Sequence, residues 1–193
     1  TDLLWFGCRT WGIKVTDLMQ GPVYGIETEE SKIDDRLKPI FNYDELFGTI
    51  LNRFITQAVI GYPLTVYGKG GQTRGYLNIK DTLQCVHIAE KNPAKPGNLN
   101  IYNQIMETFT VNQLAELTLK AGKALGYSVK IKNIENPRVE LEEHYYNPTY
   151  HGLIELGVTP NYLTLDSMKE MFKIVEKYKG KIKKDVIFRG VKW

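Results

Sequence analysis

The sequence predicts an α/β fold, the closing part of a parallel sheet joined to a smaller α/β cap. Two observations carry this. Short β-branched and aromatic runs alternate with amphipathic helical segments over the first two thirds of the chain, and the later segments form a mixed cluster instead. A third observation is that nothing repeats at a fixed period and no segment is of low complexity.

In chain order, apolar Leu3, Leu4, Phe6 and Cys8 read as the back half of a helix, broken at Trp11-Gly12. Residues 13–18 read as a buried strand. The MQGPVYG segment that follows carries Gln20 as its side-chain amide, either on a ligand-facing loop or in a plain Gly21-Pro22 turn. Residues 28–38 are charged in both signs, which predicts a solvated excursion. Residues 43–60 predict the clearest helix, with Phe47, Ile50, Leu51, Phe54, Ala58 and Val59 on one face. Arg53 lies beside that face and reads as a snorkelling surface residue rather than a ligand contact.

Leu64–Tyr67 predicts a strand that ends in three glycines within four residues, Gly68, Gly70 and Gly71. Gln72-Thr73-Arg74 follows, and a planar guanidinium suits bidentate binding of phosphate or carboxylate. Asp81 is expected to cap a helix over 82–90 with Leu83, Val86 and Ala89 inward. Residues 99–103 predict a strand. Thr110 with Gln113 forms a capping box for a helix that runs to Leu125 and stops at Gly126. Residues 129–134 alternate as a strand, 149–156 predict a short helix, and 164–179 an amphipathic one. Residues 136–148 (NPRVELEEHYYNP) hold carboxylates near His144, read as an irregular surface loop in preference to acid/base machinery.

Composition excludes several classes. The chain has 193 residues, 42% hydrophobic and 24% charged, with a formal net charge of +3. That charge is too small to argue for nucleic acid. No apolar run approaches the roughly 18–20 residues of a membrane-spanning helix. Cys8 and Cys85 lack metal-ligand or disulfide spacing, so no metal site is expected and a reducing, cytoplasmic setting fits. GKGGQT lacks the Gly-Lys-Ser/Thr ending of a phosphate-binding P-loop. What remains is an anion-recognition set, Arg53, Arg74 and Arg138 on three separate segments. Such a set could clamp the pyrophosphate of a nucleotide sugar, with the Leu64–Tyr67 edge reading a base by its backbone.

TVYGKGGQTRGYLNIKDT resembles the second-half signature of extended short-chain dehydrogenases that act on nucleotide sugars. Taken with WGIKVTDLMQGPVYG, YDELFGTILNRF, GYPLTVYGKGGQTRGYLNIKDTLQC and NPRVELEEHYYNP, it resembles more narrowly the C-terminal portion of the UDP-sulfoquinovose synthase family. The resemblance runs from about Trp11 to about Tyr162. It implies residual NAD-binding Rossmann elements at 1–25 and 76–104 and a nucleotide-sugar-binding domain at 26–75 and 105–193.

It implies further that the complete enzyme joins UDP-glucose and sulfite with a tightly held NAD. By position in the motif, Arg74 should contact the UDP phosphates and Arg138 should assist from the opposite wall. Leu64–Tyr67 should border the uracil, with Thr65, Val66 and Tyr67 as binding residues, Arg53 and Gln72 should line the same pocket, and Gln20 lies on the loop that should meet the nicotinamide end of NAD and the sugar. The glycine-rich NAD fingerprint, the catalytic threonine and the Tyr-x-x-x-Lys pair belong upstream of Thr1 in this family. The chain is therefore expected to lack the N-terminal dinucleotide-binding half, supplied in cis or in trans, and to be inert alone. Met19 stands where the family pattern has an asparagine. The complete enzyme is expected to be a homodimer. The alternatives are a portion of another nucleotide-sugar epimerase or dehydratase, and a non-catalytic nucleotide-sugar-binding module.

Overall fold

A computed structural model describes residues 1–136 and 146–187. The chain divides into two compact units. The first comprises residues 1–23, 75–107 and 147–162; the second comprises 24–74, 108–146 and 163–193. Residues 147–162, grouped with the sugar-binding domain in the sequence reading, belong to the first unit.

The first unit holds helix α1 (Asp2–Trp11), strand β1 (Val15–Gln20), helix α4 (Ile79–Lys91), strand β5 (Leu99–Gln104) and helix α6 (Gly152–Glu155). Helix α1 ends where Gly12 takes a left-handed φ of 66° and its amide returns to the Cys8 carbonyl. Strands β1 and β5 pair in parallel, from Val15 opposite Leu99 to Gln20 opposite Gln104. The strand expected to be buried at 13–18 begins two residues later and is only half-buried, since β5 is its one strand neighbour among the described residues.

Leu77, Cys85, Met106, Leu153 and Val158 form the core of this unit. Helix α4 turns Asp81, Cys85 and Ala89 inward, not Leu83 and Val86, which are exposed. The reason is Asp81. Its carboxylate is fully buried and accepts the Asn161 amide at 3.1 and 3.0 Å, which locks that side of the helix inward. Asn78, not Asp81, is the cap, accepting the Lys80 amide at 3.0 Å.

The second unit holds helices α2 (Glu29–Ile33), α3 (Ile50–Val59), α5 (Val111–Ala124) and α7 (Leu165–Lys177), with strands β3 (Leu64–Tyr67) and β7 (Ile131–Ile134). The charged excursion is thus a capped helix, with Thr28 and Ser31 each bonding the other's amide. Helices α3, α5 and α7 pack pairwise, and α3 and α5 both lie on β3. Strands β3 and β7 pair in parallel, Leu64 opposite Ile131 through Tyr67 opposite Ile134.

Helix α3 starts at Ile50, not at residue 43, because the Asp44 side chain accepts the Leu46 and Phe47 amides and closes a turn there. Residues 51–59 are then buried on every side, polar Asn52, Arg53, Thr56 and Gln57 included. The three remaining strands, β2 (Val23–Tyr24), β4 (Thr73–Asn78) and β6 (Glu107–Thr110), form a sheet in the order β2-β4-β6. Neither β2 nor β6 was expected, and β4 takes in Thr73 and Arg74, which follow the glycine-rich segment.

Candidate nucleotide-binding site

Strand β3 ends at Gly68, whose φ of 58° reverses the chain into the glycine-rich turn. Two asparagines hold that turn from neighbouring elements. Asn133 Nδ2 donates to the Gly68 carbonyl at 2.7 Å, and Asn112 Nδ2 donates to the Lys69 carbonyl at 2.9 Å. The Asn112 amide bonds the Gly70 carbonyl at 3.0 Å, and the Val111 amide bonds that of Gln72 at 3.2 Å. Gly70 has a φ of 75°, and a Cβ there would collide with the Asn112 amide and Val66. The loop is therefore a fixed support, not a loose turn.

Four of the expected residues meet along β3. The Arg53 guanidinium sits 4.7 Å from the centre of the Tyr67 ring, and its Nη1 donates to the Tyr67 hydroxyl at 3.4 Å. Arg53 is 4% exposed, which corrects the snorkelling reading. A charge in that setting is held by the aromatic face, with α3 covered all round. Thr65 is buried and bonded to Gln57, and Gln72 Nε2 donates to the Tyr67 carbonyl at 3.5 Å. The Gln72 Oε1 atom is buried without a hydrogen-bond partner among the described residues. An orphaned acceptor of this kind costs about 1–3 kcal/mol unless something donates to it.

The other expected residues are placed differently. The Val66 side chain is fully buried and belongs to the core. Arg74 lies half-buried on β4, its Nη1 donating to the Thr73 carbonyl at 2.8 Å. Arg138 lies outside the described residues, as do Glu140, Glu142, Glu143 and His144. Gln20 is the exposed last residue of β1, in the first unit. Three cavities of the second unit, of about 240, 520 and 310 Å³, are lined by other residues. Among the described residues no cluster of His, Cys, Asp or Glu could hold a metal, and no helix is long and apolar enough to cross a membrane.

Gln57 was missed at the sequence level. An amide in the middle of an apolar helix was its signal, since an unpartnered one would be costly there. A Tyr-x-x-x-Lys spacing does occur, at Tyr76 and Lys80, but Tyr76 lies buried in β4 while Lys80 opens α4, so the two do not share a helix turn.

Curated relatives bear on this geometry. The chain is 49% identical over 188 residues to the chloroplastic UDP-sulfoquinovose synthase of Spinacia oleracea, covering 97% of this chain and 39% of the relative. It is 44% identical over 195 residues to the UDP-sulfoquinovose synthase of Sulfolobus acidocaldarius, covering 100% of this chain and 49% of the relative. By sequence, the chain is a relative of the UDP-sulfoquinovose synthases. It spans less than half the length of these two relatives, consistent with a C-terminal portion. No family model matches.

Solved structures agree on the fold. The UDP-glucose 4-epimerase of Thermotoga maritima, solved with UDP-glucose, aligns with a TM-score of 0.68 at 20% identity, over 91% of this chain and 50% of that one. The Thermus thermophilus UDP-glucose 4-epimerase, solved with NAD, aligns at 0.64 and 18% identity, over 98% and 51%. The chain is thus part of a Rossmann-like α/β fold. Its own residues do not fit a dinucleotide: no G-x-G-x-x-G run is present, and Gln20 offers one exposed amide where a pyrophosphate cradle would need several convergent donors.

Proposed function

We propose that the second unit binds the UDP moiety of a nucleotide sugar for an enzyme that converts UDP-glucose and sulfite to UDP-sulfoquinovose. The conversion is redox-neutral overall: a C–S bond forms at the sugar C6, the C6–O bond breaks, and water leaves. The observation that carries the reading is the outward edge of β3, with Arg53 stacked on Tyr67 at one end and Arg74 two residues past Gln72.

In this reading the edge borders the base, Gln72 Oε1 accepts a donor from the ligand, and Arg74 meets the phosphates, with Arg138 from the segment that follows β7. This chain binds and orients. Reacting groups and NAD belong to the complete enzyme, a homodimer in this proposal, so the chain alone turns over no substrate. Gln20 would face the nicotinamide end there. A reducing, cytoplasmic setting goes with the free, buried Cys8 and Cys85.

Calorimetric titration with UDP-glucose tests the reading. The chain should bind, and Arg74→Ala should weaken binding about tenfold to a hundredfold, the worth of one charge-assisted hydrogen bond of roughly 1.5–3 kcal/mol. No heat at millimolar ligand, or an Arg74→Ala variant that binds equally well, would sink it. The fold likeness to epimerases supports a second reading, a different nucleotide-sugar conversion. Sulfite-independent epimer formation by the complete enzyme would favour that one.

A further inference from the structure

Helix α3 carries a second polar stripe besides Arg53 and Gln57. Thr49, Asn52 and Thr56 are three and four residues apart and so share one face of the helix. The Oγ1 atoms of both threonines and the Oδ1 atom of Asn52 are buried without a hydrogen-bond partner among the described residues. Thr49 stands at the N-cap yet caps no amide with its side chain. Asn52 reaches the segment before the helix, its Nδ2 donating to the Asn42 carbonyl at 3.1 Å. Folded proteins leave few such atoms unpaired, because each loses its water and gains nothing in return.

Thr56 is fully buried and lines a cavity of about 240 Å³ in the second unit. Ile26, Phe41 and Val175 give this cavity apolar walls, and it shares no lining residue with the β3 edge. Tyr178 and Lys181 line its solvent side, both of them exposed. The Lys181 ammonium lies 5.6 Å from the centre of the Tyr178 ring and has no carboxylate partner among the described residues. Lys38 approaches the same ring at 5.9 Å, but Asp35 holds it at 2.6 Å. The cavity therefore has a hydroxyl within, apolar sides and one available cation at its opening.

We propose that this cavity is a second small-molecule site, one that takes a monoaromatic carboxylate with a hydroxyl at the far end of its ring. A cavity of about 150 Å³ accommodates benzene. The larger volume here leaves room for a ring and a short side arm. The ring hydroxyl can both donate to and accept from Thr56 Oγ1, and the carboxylate at the other end meets Lys181. A purely apolar ring would leave the Thr56 hydroxyl unpaired, and an amine would set like charge against Lys181. This assignment does not depend on the UDP-sugar reading.

The test is calorimetric titration of the 193-residue chain with para-hydroxyphenylpropionate, phenylpropionate and tyramine, with a melting curve for every variant. The phenolic acid should bind at submillimolar concentration. Phenylpropionate, which lacks only the hydroxyl, should bind about threefold to tenfold more weakly. Tyramine, with an ammonium in place of the carboxylate, should also lose about threefold to tenfold, the modest worth of an exposed charge. Thr56→Val should erase the difference between the two acids and raise the melting temperature, since it removes an orphaned hydroxyl. Lys181→Met should bring tyramine and the phenolic acid together. Val175→Phe fills the cavity and should abolish binding of all three; if it does not melt cooperatively, the exposed Lys181→Met decides in its place. No heat at millimolar phenolic acid, or equal affinity for the three compounds, overturns the inference. So does displacement of the acid by UDP, which would put it in the nucleotide site. A chain that binds the acid and not UDP keeps this inference and loses the UDP-sugar reading.

Discussion

At the scale of single residues, polar side chains in apolar surroundings fix the geometry of this chain. Gln57 and Asp81 are both fully buried, and each spends its hydrogen-bonding capacity on a backbone amide brought from elsewhere, Thr65 in one case and Asn161 in the other. Tyr127 and Glu176 make a more exposed pair whose signature is pH-dependent. The Tyr127 hydroxyl donates to Glu176 Oε2 at 2.7 Å. Burial, then the bond to Glu176, pushes Tyr127 up to about 12 from an ordinary value near 10. The same bond, with Lys179 beside it, holds the Glu176 carboxyl below its usual range. A raised tyrosine contributes stability that is whole below about pH 10 and is lost as pH climbs toward 12. A lowered carboxylate contributes stability present above its ordinary value near 4.5 and lost on acidification. The melting temperature should therefore exceed that of Tyr127→Phe by a constant margin from about pH 5 to 10, and the margin should shrink above that. A margin that persists undiminished near pH 12 would contradict the assignment. The carboxyl partner could not be read from sequence, since Tyr127 and Glu176 are 49 residues apart.

At the scale of elements, what is local was legible and what faces a distant neighbour was not. Helix α5 begins at the Thr110–Gln113 capping box and is followed by Gly126 with φ 86°, as the spacing predicts. Strand β3 ends where its glycines begin. On helix α4 Ala89 is buried as expected, but Leu83 and Val86 are exposed, and Cys85 turns inward with Asp81, which the Asn161 contact holds. The packing of α5 gives a second prediction. A Cβ on Gly122 would lie 2.5 Å from Val129 Cγ2 and 3.3 Å from Phe172 Cζ. Gly122→Ala gains about 1 kcal/mol of helix propensity, but overpacking costs about 1–3 kcal/mol. The denaturant midpoint should fall, and Val129→Ala in the same chain should restore part of it. A raised midpoint for Gly122→Ala alone would mean that α5 and its neighbours yield more easily than their contacts indicate.

At the scale of the whole molecule, apolar surface is the notable feature. Leu3, Phe6 and Trp11 on or at the end of α1 are 81%, 57% and 70% exposed, and Leu83 and Val86 on α4 are also uncovered. Exposed apolar residues on this scale promote association. The chain should self-associate, and Leu3→Glu with Phe6→Glu should shift light scattering toward monomer. A monodisperse monomer that melts cooperatively without those changes would refute the expectation.

The sequence by itself determined the α/β class, the strand and glycine turn at Leu64–Gly71, the Thr110–Gln113 cap of α5, and the kinship with nucleotide-sugar enzymes. Each of these is written in contiguous residues or in local backbone chemistry. Only the tertiary structure decided that Arg53 is buried against Tyr67, that Val66 is core, that Asp81 sets the face of α4, and that Gln57 holds Thr65. The physical reason is common to all four. Burial and hydrogen-bond pairing depend on which distant segment arrives to cover a residue, and an isolated spacing pattern does not carry that information.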